Sequence, residues 1–529
     1  MKKVIQSKFR VVPTDPTLKR EGQLQRFLLK LKKKDIFTKE EYKKIYPTGS
    51  IAARIYGLPK IHKLKTANDK LKLRPIVSAI GSYNYHLADY LSKKLAPYIS
   101  HKYTTKDTFS FVNELSEMKS KDKFLISYDV TSLFTNIPLD ETIEIAVNVI
   151  LENEPDIKID KNELKKLFIF ATSESHFVFK GKVYDQIDGV TMGSCLGPVL
   201  ANLFMGHHEE SWIEDCNCEK PTFYKRFMDD IFCVFNNQNE ANEFFRYLNE
   251  RHPNIKFTDE KENLNKLPFL DVQIEKLENG NFQTSVYRKP TFTDLLTNFR
   301  SFVPFSYKLA FIKTLIHRTF CICSSWTVFD QNILDLEGIL KRNSFPPNVI
   351  SKELSKYLNN KLSGNKKPEK ESNSNYYKLP YIGEFSKKSK EKISELCQKY
   401  CKTLKIRISF SLFKTGSLFS VKDKICPDQR SFVVYLFRCP GCTASYIGET
   451  TRSLKVRIEE HLKEGKGSVI FNHLAKNPKC REMCNDSCFQ VIDNATSEWQ
   501  LKIKEAIHIT WNKPTLNKQI KHIGLNISI

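Results

Sequence analysis

The sequence predicts a multidomain α+β protein, and three observations predict it. The chain runs to 529 residues, more than a single hydrophobic core organises. Apolar, β-branched and aromatic runs such as Phe124-Leu125-Ile126-Ser127-Tyr128 and Ile231-Phe232-Cys233-Val234-Phe235 read as strands, whereas Leu309 to Phe320 has an apolar stripe at helix period. Ser363 to Asn375 is polar and nearly free of apolar residues, so it reads as a flexible linker between a large N-terminal part and a small α/β C-terminal part.

Composition narrows the partners. The formal net charge is +24 and the sequence pI is about 9.3. Lys and Arg displace counterions from phosphates, so this balance with abundant aromatics fits a nucleic-acid partner. Charge alone fits an anionic membrane surface as well. No run of about twenty apolar residues spans a bilayer, and Met1-Lys2-Lys3-Val4-Ile5-Gln6-Ser7-Lys8 lacks the apolar centre of a signal peptide. No membrane role is therefore expected. The 14 cysteines read as reduced thiols or metal ligands rather than a disulfide framework.

The elements follow in order. Up to about Ile51 the chain is polar and helical in flavour, with Leu24, Leu28 and Leu31 at helical spacing. A strand ends at Asp129, and a helix starts near Asp140-Glu141. Gly189 to Gly197 is a glycine-rich loop opening into an apolar helix, and glycine lets a backbone approach a ligand closely. Further on, Phe227-Met228-Asp229-Asp230 joins two strands. Adjacent carboxylates repel each other unless a cation sits between them, and hard divalent ions take oxygen ligands. Two-metal nucleotidyl transfer uses such a cluster, with Asp129 as the third member. Taken alone the segment reads equally as an Asp-rich turn. Beyond the linker, Lys387 to Leu404 is a basic helical run with a solvated face. The strands carrying Tyr435 and Tyr446 lead into a helix with Thr450 or Thr451 as N-cap; Arg457 and His461, four apart, share a face. A last helix, Glu498 to Trp511, carries Glu505, with Asn517 beyond it. Cys439-Pro440-Gly441-Cys442 is a zinc half-site.

The order Asp129, glycine-rich loop, Asp229-Asp230 resembles the palm of a reverse transcriptase. Asp129-Val130-Thr131-Ser132-Leu133-Phe134-Thr135-Asn136-Ile137-Pro138, Gly189-Val190-Thr191-Met192-Gly193-Ser194 and Arg226-Phe227-Met228-Asp229-Asp230-Ile231-Phe232 together look like the Penelope-like retroelements. So do Tyr56-Gly57-Leu58-Pro59-Lys60, Leu73-Arg74-Pro75 and the stretch Asn298 to Lys308. The likeness covers nearly the whole chain. Two positions depart from it: Phe227 where reverse transcriptases usually carry Tyr, and Cys195 where this family often has Pro. The resemblance implies that Asp129 and Asp229 hold two Mg²⁺ ions, with Asp230 the weaker partner. It implies that Phe134 is the steric gate against a 2′-hydroxyl, and that Lys60, Lys63, Arg74 and Gly193 contact the incoming nucleotide.

The C-terminal set resembles the GIY-YIG endonucleases, although Val433 replaces the first glycine. It implies that Glu505 holds one Mg²⁺ and that Arg457 steadies the scissile phosphate. Tyr435 helps activate water with Tyr446 and His461, and Asn517 supports the site. Penelope-like nucleases resemble this chain also in the Cys439/Cys442 knuckle, completed by histidine. His473 is the better candidate and His461 the other, while Cys480, Cys484 and Cys488 form a rival set with His473.

The fold so implied is a right-hand reverse transcriptase with fingers, palm and thumb, plus a linker and a small α/β GIY-YIG nuclease. The expected limits are 1–50 for an N-terminal helical extension, 51–290 for fingers and palm and 291–341 for the thumb. A connector follows over 342–430, then the nuclease over 431–520 and a tail over 521–529. The function implied is copying of element RNA by target-primed reverse transcription. Its partners are the RNA template, target DNA with its 3′ end as primer, and dNTPs; its cofactors are Mg²⁺ and a structural Zn²⁺, and its compartment is the nucleus. The alternatives are an active polymerase whose nuclease only binds DNA, a decayed nucleic-acid-binding copy, and a telomere-maintaining polymerase.

Overall fold

The computed structural model describes residues 9–59, 73–99, 101–119, 121–173, 175–187, 189–363, 375–400, 405–419 and 422–517. Two compact units emerge, one from 1–100, 132–207 and 421–529, the other from 101–131 and 208–420. These cut across the expected limits, because chain neighbours part and distant segments pack together.

In the first unit a five-stranded sheet runs in the order Phe9–Val12, Lys182–Gln186, His176–Phe179, Ala53–Pro59, Leu73–Ser78. The edge strand pairs Phe9 with Gln186 and Val12 with Val183. The helix Thr17–Lys33 buries Leu24, Leu28 and Leu31. Its buried Arg20 forks onto both oxygens of Asp185, at 2.7 and 2.9 Å. Residues 9–50 therefore contribute to this unit's core rather than standing as an extension. A four-residue strand is too short for alternation to reveal.

The C-terminal part of the same unit is a three-stranded antiparallel sheet, Ser445–Thr450, Val433–Arg438 and Phe489–Asn494. Successive side chains of a strand face opposite ways. Val433, Tyr435 and Phe437 enter one core with Ile458 and Leu474, whereas Val434 and Leu436 enter another with Ile447 and Leu501. Helices thus cover both faces, which explains the unbroken apolar run of the central strand. The helix Leu454–Leu462 takes Ser453, not Thr450 or Thr451, as its N-cap; Thr450 Oγ1 accepts instead from the Arg452 amide at 3.1 Å. This part packs against the N-terminal segment. Gly49 lies so near that a Cβ there would be 2.1 Å from the Thr451 carbonyl. Gln429 donates to Asp15 at 3.2 Å, and Lys422 to Ser78 at 2.9 Å.

The second unit is built on a four-stranded antiparallel sheet, Phe223–Phe227, Asp230–Phe235, Phe124–Val130, Phe257–Lys261. A meander of Lys266–Phe269, Val272–Lys276 and Phe282–Val286 shares its core through Phe111, Leu125, Phe232, Phe269 and Ile274. Each such side chain, fully buried, contributes about 1.5–3 kcal/mol of transfer free energy. Three helices follow, Phe305–Ile322, Trp326–Arg342 and Pro347–Leu362, around Ile312, Ile316, Leu336, Leu340 and Ile350. Pro347–Leu362 belongs to this trio, so the limit expected at 341 falls inside one packed group. The connector region then holds two parallel strands, Asn375–Pro380 and Ile406–Ser411, flanking the helix Glu384–Tyr400. Cys216 and Cys218, expected as thiols, are bonded; their Cα atoms stand 5.3 Å apart, within disulfide range. Among the described residues no helix is long and apolar enough to cross a membrane.

Candidate functional site

The second unit brings the three aspartates together. Asp129 sits on Phe124–Val130, exposed between buried Tyr128 and Val130. Antiparallel register sets it directly opposite Asp230, the first residue of Asp230–Phe235. Met228 and Asp229 form the turn between the hairpin strands, since Phe227 pairs with Asp230. Met228 adopts a left-handed φ of 58°. The Val130 amide donates to the Asp229 carbonyl at 2.9 Å, holding the turn against the central strand.

Asp230 keeps an exposed surface, yet protein crowds its carboxyl. Desolvation first, then the charges of Asp229 and Asp129, push its pKa up to about 6, against the pull of Lys289. A carboxylate so destabilised by its neighbours gains from a shared cation, so the donor set fits hard divalent metal.

Two residues that sequence reading missed hold this turn. Arg226 and Glu209 are 0% and 1% exposed and pair at 2.7 Å. Tyr224 donates to the same Glu209 oxygen at 2.7 Å. The Arg226 guanidinium also donates to the Met228 carbonyl at 3.0 Å, tying the residue before Asp229 to a buried anchor. The signal in the sequence was an arginine inside an apolar strand, alternating with Tyr224.

Phe134, Gly193 and Arg74 belong to the first unit and are gathered there. Phe134 lies in the short helix Leu133–Asn136, and its carbonyl accepts from the Val190 amide at 2.6 Å. At Gly193, φ is 116° and a Cβ would be 2.1 Å from the Val77 carbonyl. The glycine-rich loop thus wraps between the Phe134 helix and the strand Leu73–Ser78, on which Arg74 is exposed. Lys60 and Lys63 lie outside the described residues.

The C-terminal sheet builds a second cluster. The Tyr435 hydroxyl, fully buried, is 2.6 Å from His461 Nε2, and Arg457 Nε donates to it at 3.3 Å. His461 Nδ1 is 2.6 Å from Ser468 Oγ. Burial first, then the Arg457 charge, lowers the His461 pKa to about 4, so the ring is neutral at pH 7. Tyr435 holds one ring nitrogen and Ser468 the other, with the donor at each set by the tautomer. Both ring nitrogens are spent, which removes His461 as a zinc ligand. Gly448 shows why the Tyr-Ile-Gly triplet ends in glycine: a Cβ there would be 2.5 Å from the Tyr435 hydroxyl. Burial raises the pKa of Tyr446 as well, with the nearby Glu505 charge next.

Glu505, on Glu498–Asn512, has its pKa pushed to about 7 by desolvation and by the nearby charge of Glu449. Glu449, also missed in the sequence, keeps Oε2 buried with no hydrogen-bond partner. Its signal was a glutamate next to the Tyr-Ile-Gly glycine. The donor set suits one divalent ion. Asn517 touches none of these groups. Its side chain bonds the amide and the carbonyl of Ile447 at 2.9 and 2.7 Å, pinning the strand that carries Tyr446.

Cys439, Cys442, His473 and Cys480 bring one ligand atom each within 4.8 Å of one another. His473 Nε2 is 3.4 Å from Cys439 Sγ and 3.5 Å from Cys442 Sγ. Such spacings suit tetrahedral zinc with bonds of about 2.0–2.3 Å. Cys480 joins the knuckle rather than a separate set with Cys484 and Cys488. Among the described residues no other group of three or more such side chains converges as closely. We expect Cys480→Ser to lower zinc content and affinity at least about tenfold, measured by metal analysis and chelator competition, with Cys484→Ser unchanged. Full zinc retention in the Cys480 variant would remove it from the ligand set.

Residues 61–265 match the family described as reverse transcriptase (RNA-dependent DNA polymerase), and residues 295–355 match the animal helix-turn-helix domain. The chain thus carries a reverse transcriptase domain, which supports RNA-directed DNA polymerase activity. No curated protein matches it. Similar solved structures include apo telomerase from Candida tropicalis truncated from its C-terminal domain. That likeness has 11% identity and a TM-score of 0.36, covering 53% of this chain and 58% of that one. Telomerase from Candida albicans with a TWJ fragment of telomeric RNA has 9% identity and a TM-score of 0.41, covering 67% and 64%. The BmCPV RNA-dependent RNA polymerase at elongation state has 12% identity and a TM-score of 0.32, covering 58% and 28%. The chain spans less than two thirds of the length of these telomerases. Likenesses this distant carry no argument about its activity.

Proposed function

We propose that this chain is a Penelope-like retroelement protein that nicks DNA and copies element RNA from the exposed 3′ end. The observation that carries the reading is Asp129 directly opposite Asp230, with Asp229 in the turn between hairpin strands. Mg²⁺ held by these carboxylates supplies charge neutralisation for the attacking and leaving oxygens of nucleotidyl transfer. The chain's own part is positioning. Arg226 fixes the turn, Phe134 stands as the steric gate, and Arg74 with Lys60 and Lys63 receives the triphosphate, as arginine forks and lysine charges do. RNA-templated extension from a nicked duplex, with each site mutated separately, tests the proposal.

For the nick, Glu505 holds the divalent ion and Arg457 neutralises the scissile phosphate. Tyr435, hydrogen-bonded to neutral His461, helps activate the attacking water, with Tyr446 and His461 assisting. Nuclease and polymerase on one chain raise the local concentration of the fresh 3′ end. Chromosomal DNA as target makes the nucleus the working compartment, and Zn²⁺ at Cys439, Cys442, His473 and Cys480 braces the nuclease sheet.

Nicking of supercoiled plasmid is expected to fall about a thousandfold in Glu505→Ala while RNA-templated extension from a supplied primer persists. Because the Glu505 carboxyl must lose its proton to hold Mg²⁺, half-saturating Mg²⁺ is expected to rise as pH falls below about 7. Equal nicking by wild type and Glu505→Ala sinks the nuclease assignment and leaves a domain that only binds DNA.

A further inference from the structure

The strands Asn375–Pro380 and Ile406–Ser411 and the helix Glu384–Tyr400 form a βαβ unit with a two-stranded parallel sheet. Parallel sheets are ordinarily covered on both faces, and a two-stranded sheet is marginal alone. Here one face is partly covered. The Phe410 ring packs against Tyr381 at 5.6 Å, Lys390 of the connecting helix lies 6.0 Å from it, and Leu379 and Ile408 on the same face are half-buried, while Tyr377 there stays exposed.

The other face carries Tyr376, Lys378 and Arg407, all exposed, Tyr376 to 70%. Register sets Arg407 directly beside Tyr376. Its guanidinium lies 5.9 Å from the ring centroid and donates to the hydroxyl at 3.4 Å. The connecting helix adds five lysines against three glutamates.

We propose that this face binds single-stranded nucleic acid, with Tyr376 stacking on an unpaired base and Lys378 and Arg407 contacting the adjoining phosphates. A single exposed ring flanked by cations, rather than a continuous apolar patch, selects a base with its phosphates over a protein surface. An exposed ring is a stacking platform for an unpaired base, whereas the bases of a duplex are already stacked on one another. This site is separate from the aspartate and Tyr435 clusters, and its ligand chemistry depends on neither activity.

The test uses the full chain in EDTA, with labelled single strands of about 20 nucleotides as RNA and as DNA. Fluorescence anisotropy is read for Tyr376→Ala, Tyr376→Phe, Lys378→Gln and Arg407→Gln. Tyr376→Ala is expected to weaken binding about tenfold and Tyr376→Phe less than about twofold, because stacking needs the ring and not the hydroxyl. Lys378→Gln and Arg407→Gln each lower the salt slope by about one. A response with RNA alone adds the 2′-hydroxyl to the ligand; a response with both leaves backbone and base face, and each supports the site. Photocrosslinking with thiouridine reads the same face where other sites also bind, and a crosslink in the Tyr376 peptide is expected. Binding of Tyr376→Ala within about twofold of wild type, equal losses in Ala and Phe, or no crosslink there overturns the proposal and leaves the face to a protein partner.

Discussion

Asp229→Asn is expected to lower RNA-templated primer extension by about a thousandfold, on the order of 4 kcal/mol of transition-state stabilisation. Asp229 sits in the turn, half-buried, where asparagine satisfies the same backbone needs, so the loss is chemical rather than structural. The metal-free protein supplies an independent readout with a defined sign. The folded pKa of Asp230, about 6, lies above its ordinary 3.8. The stability this group permits is therefore full below about 4 and lost as pH rises through about 6. Removing the Asp229 charge relieves part of that repulsion, so the variant unfolds at a slightly higher temperature than wild type at pH 7.5 and shows a flatter pH profile. Extension within tenfold of wild type refutes the metal role of Asp229. An unfolding midpoint well below wild type reassigns the residue to the fold.

The largest stability effect is expected at Glu209. Glu209→Ala leaves the fully buried Arg226 charge unpaired, a loss of about 3–5 kcal/mol. Urea unfolding followed by hydrogen exchange of the strands Phe223–Phe227 and Asp230–Phe235 reads it locally. The double variant Arg226→Met with Glu209→Leu fills the same volume without charges and is expected to regain most of that stability. Extension stays low in the double variant, because the Met228 carbonyl has lost its donor and the turn carrying Asp229 is no longer tied down. Recovery of both stability and extension would assign the pair to packing alone. The surface pair Lys102–Glu214, 51% and 54% exposed, is the control, and Glu214→Ala is expected to leave the midpoint unmoved.

Local chemistry made much of the candidate sites legible. The hairpin around Asp229 announced itself because its apolar flanks and polar turn are chain neighbours. Arg457 and His461 share a helical face by spacing alone, and Cys439 and Cys442 are three apart. Leu24, Leu28 and Leu31 marked a helix and its buried side together. What long-range packing decides was not legible. The strand Phe9–Val12 finds its partner more than 170 residues on, which no local period encodes. Cys480 joins Cys439 and Cys442 only because the sheet and the helix Pro478–Met483 bring it back.

The sequence by itself singled out the candidate side chains: the three aspartates, the two tyrosines with Arg457 and His461, Glu505 and the cysteine knuckle. Composition also determined that the chain suits a polyanion. Only the tertiary structure decided that Asp129 faces Asp230, that Arg226 and Glu209 anchor the turn, and that His461 belongs to Tyr435 rather than to zinc. It decided too that residues 9–50 and the C-terminal sheet lie in one unit. The reason is physical. Residue types and short periods are properties of neighbouring positions, whereas register, burial and the sharing of a donor arise only when distant segments exclude water together.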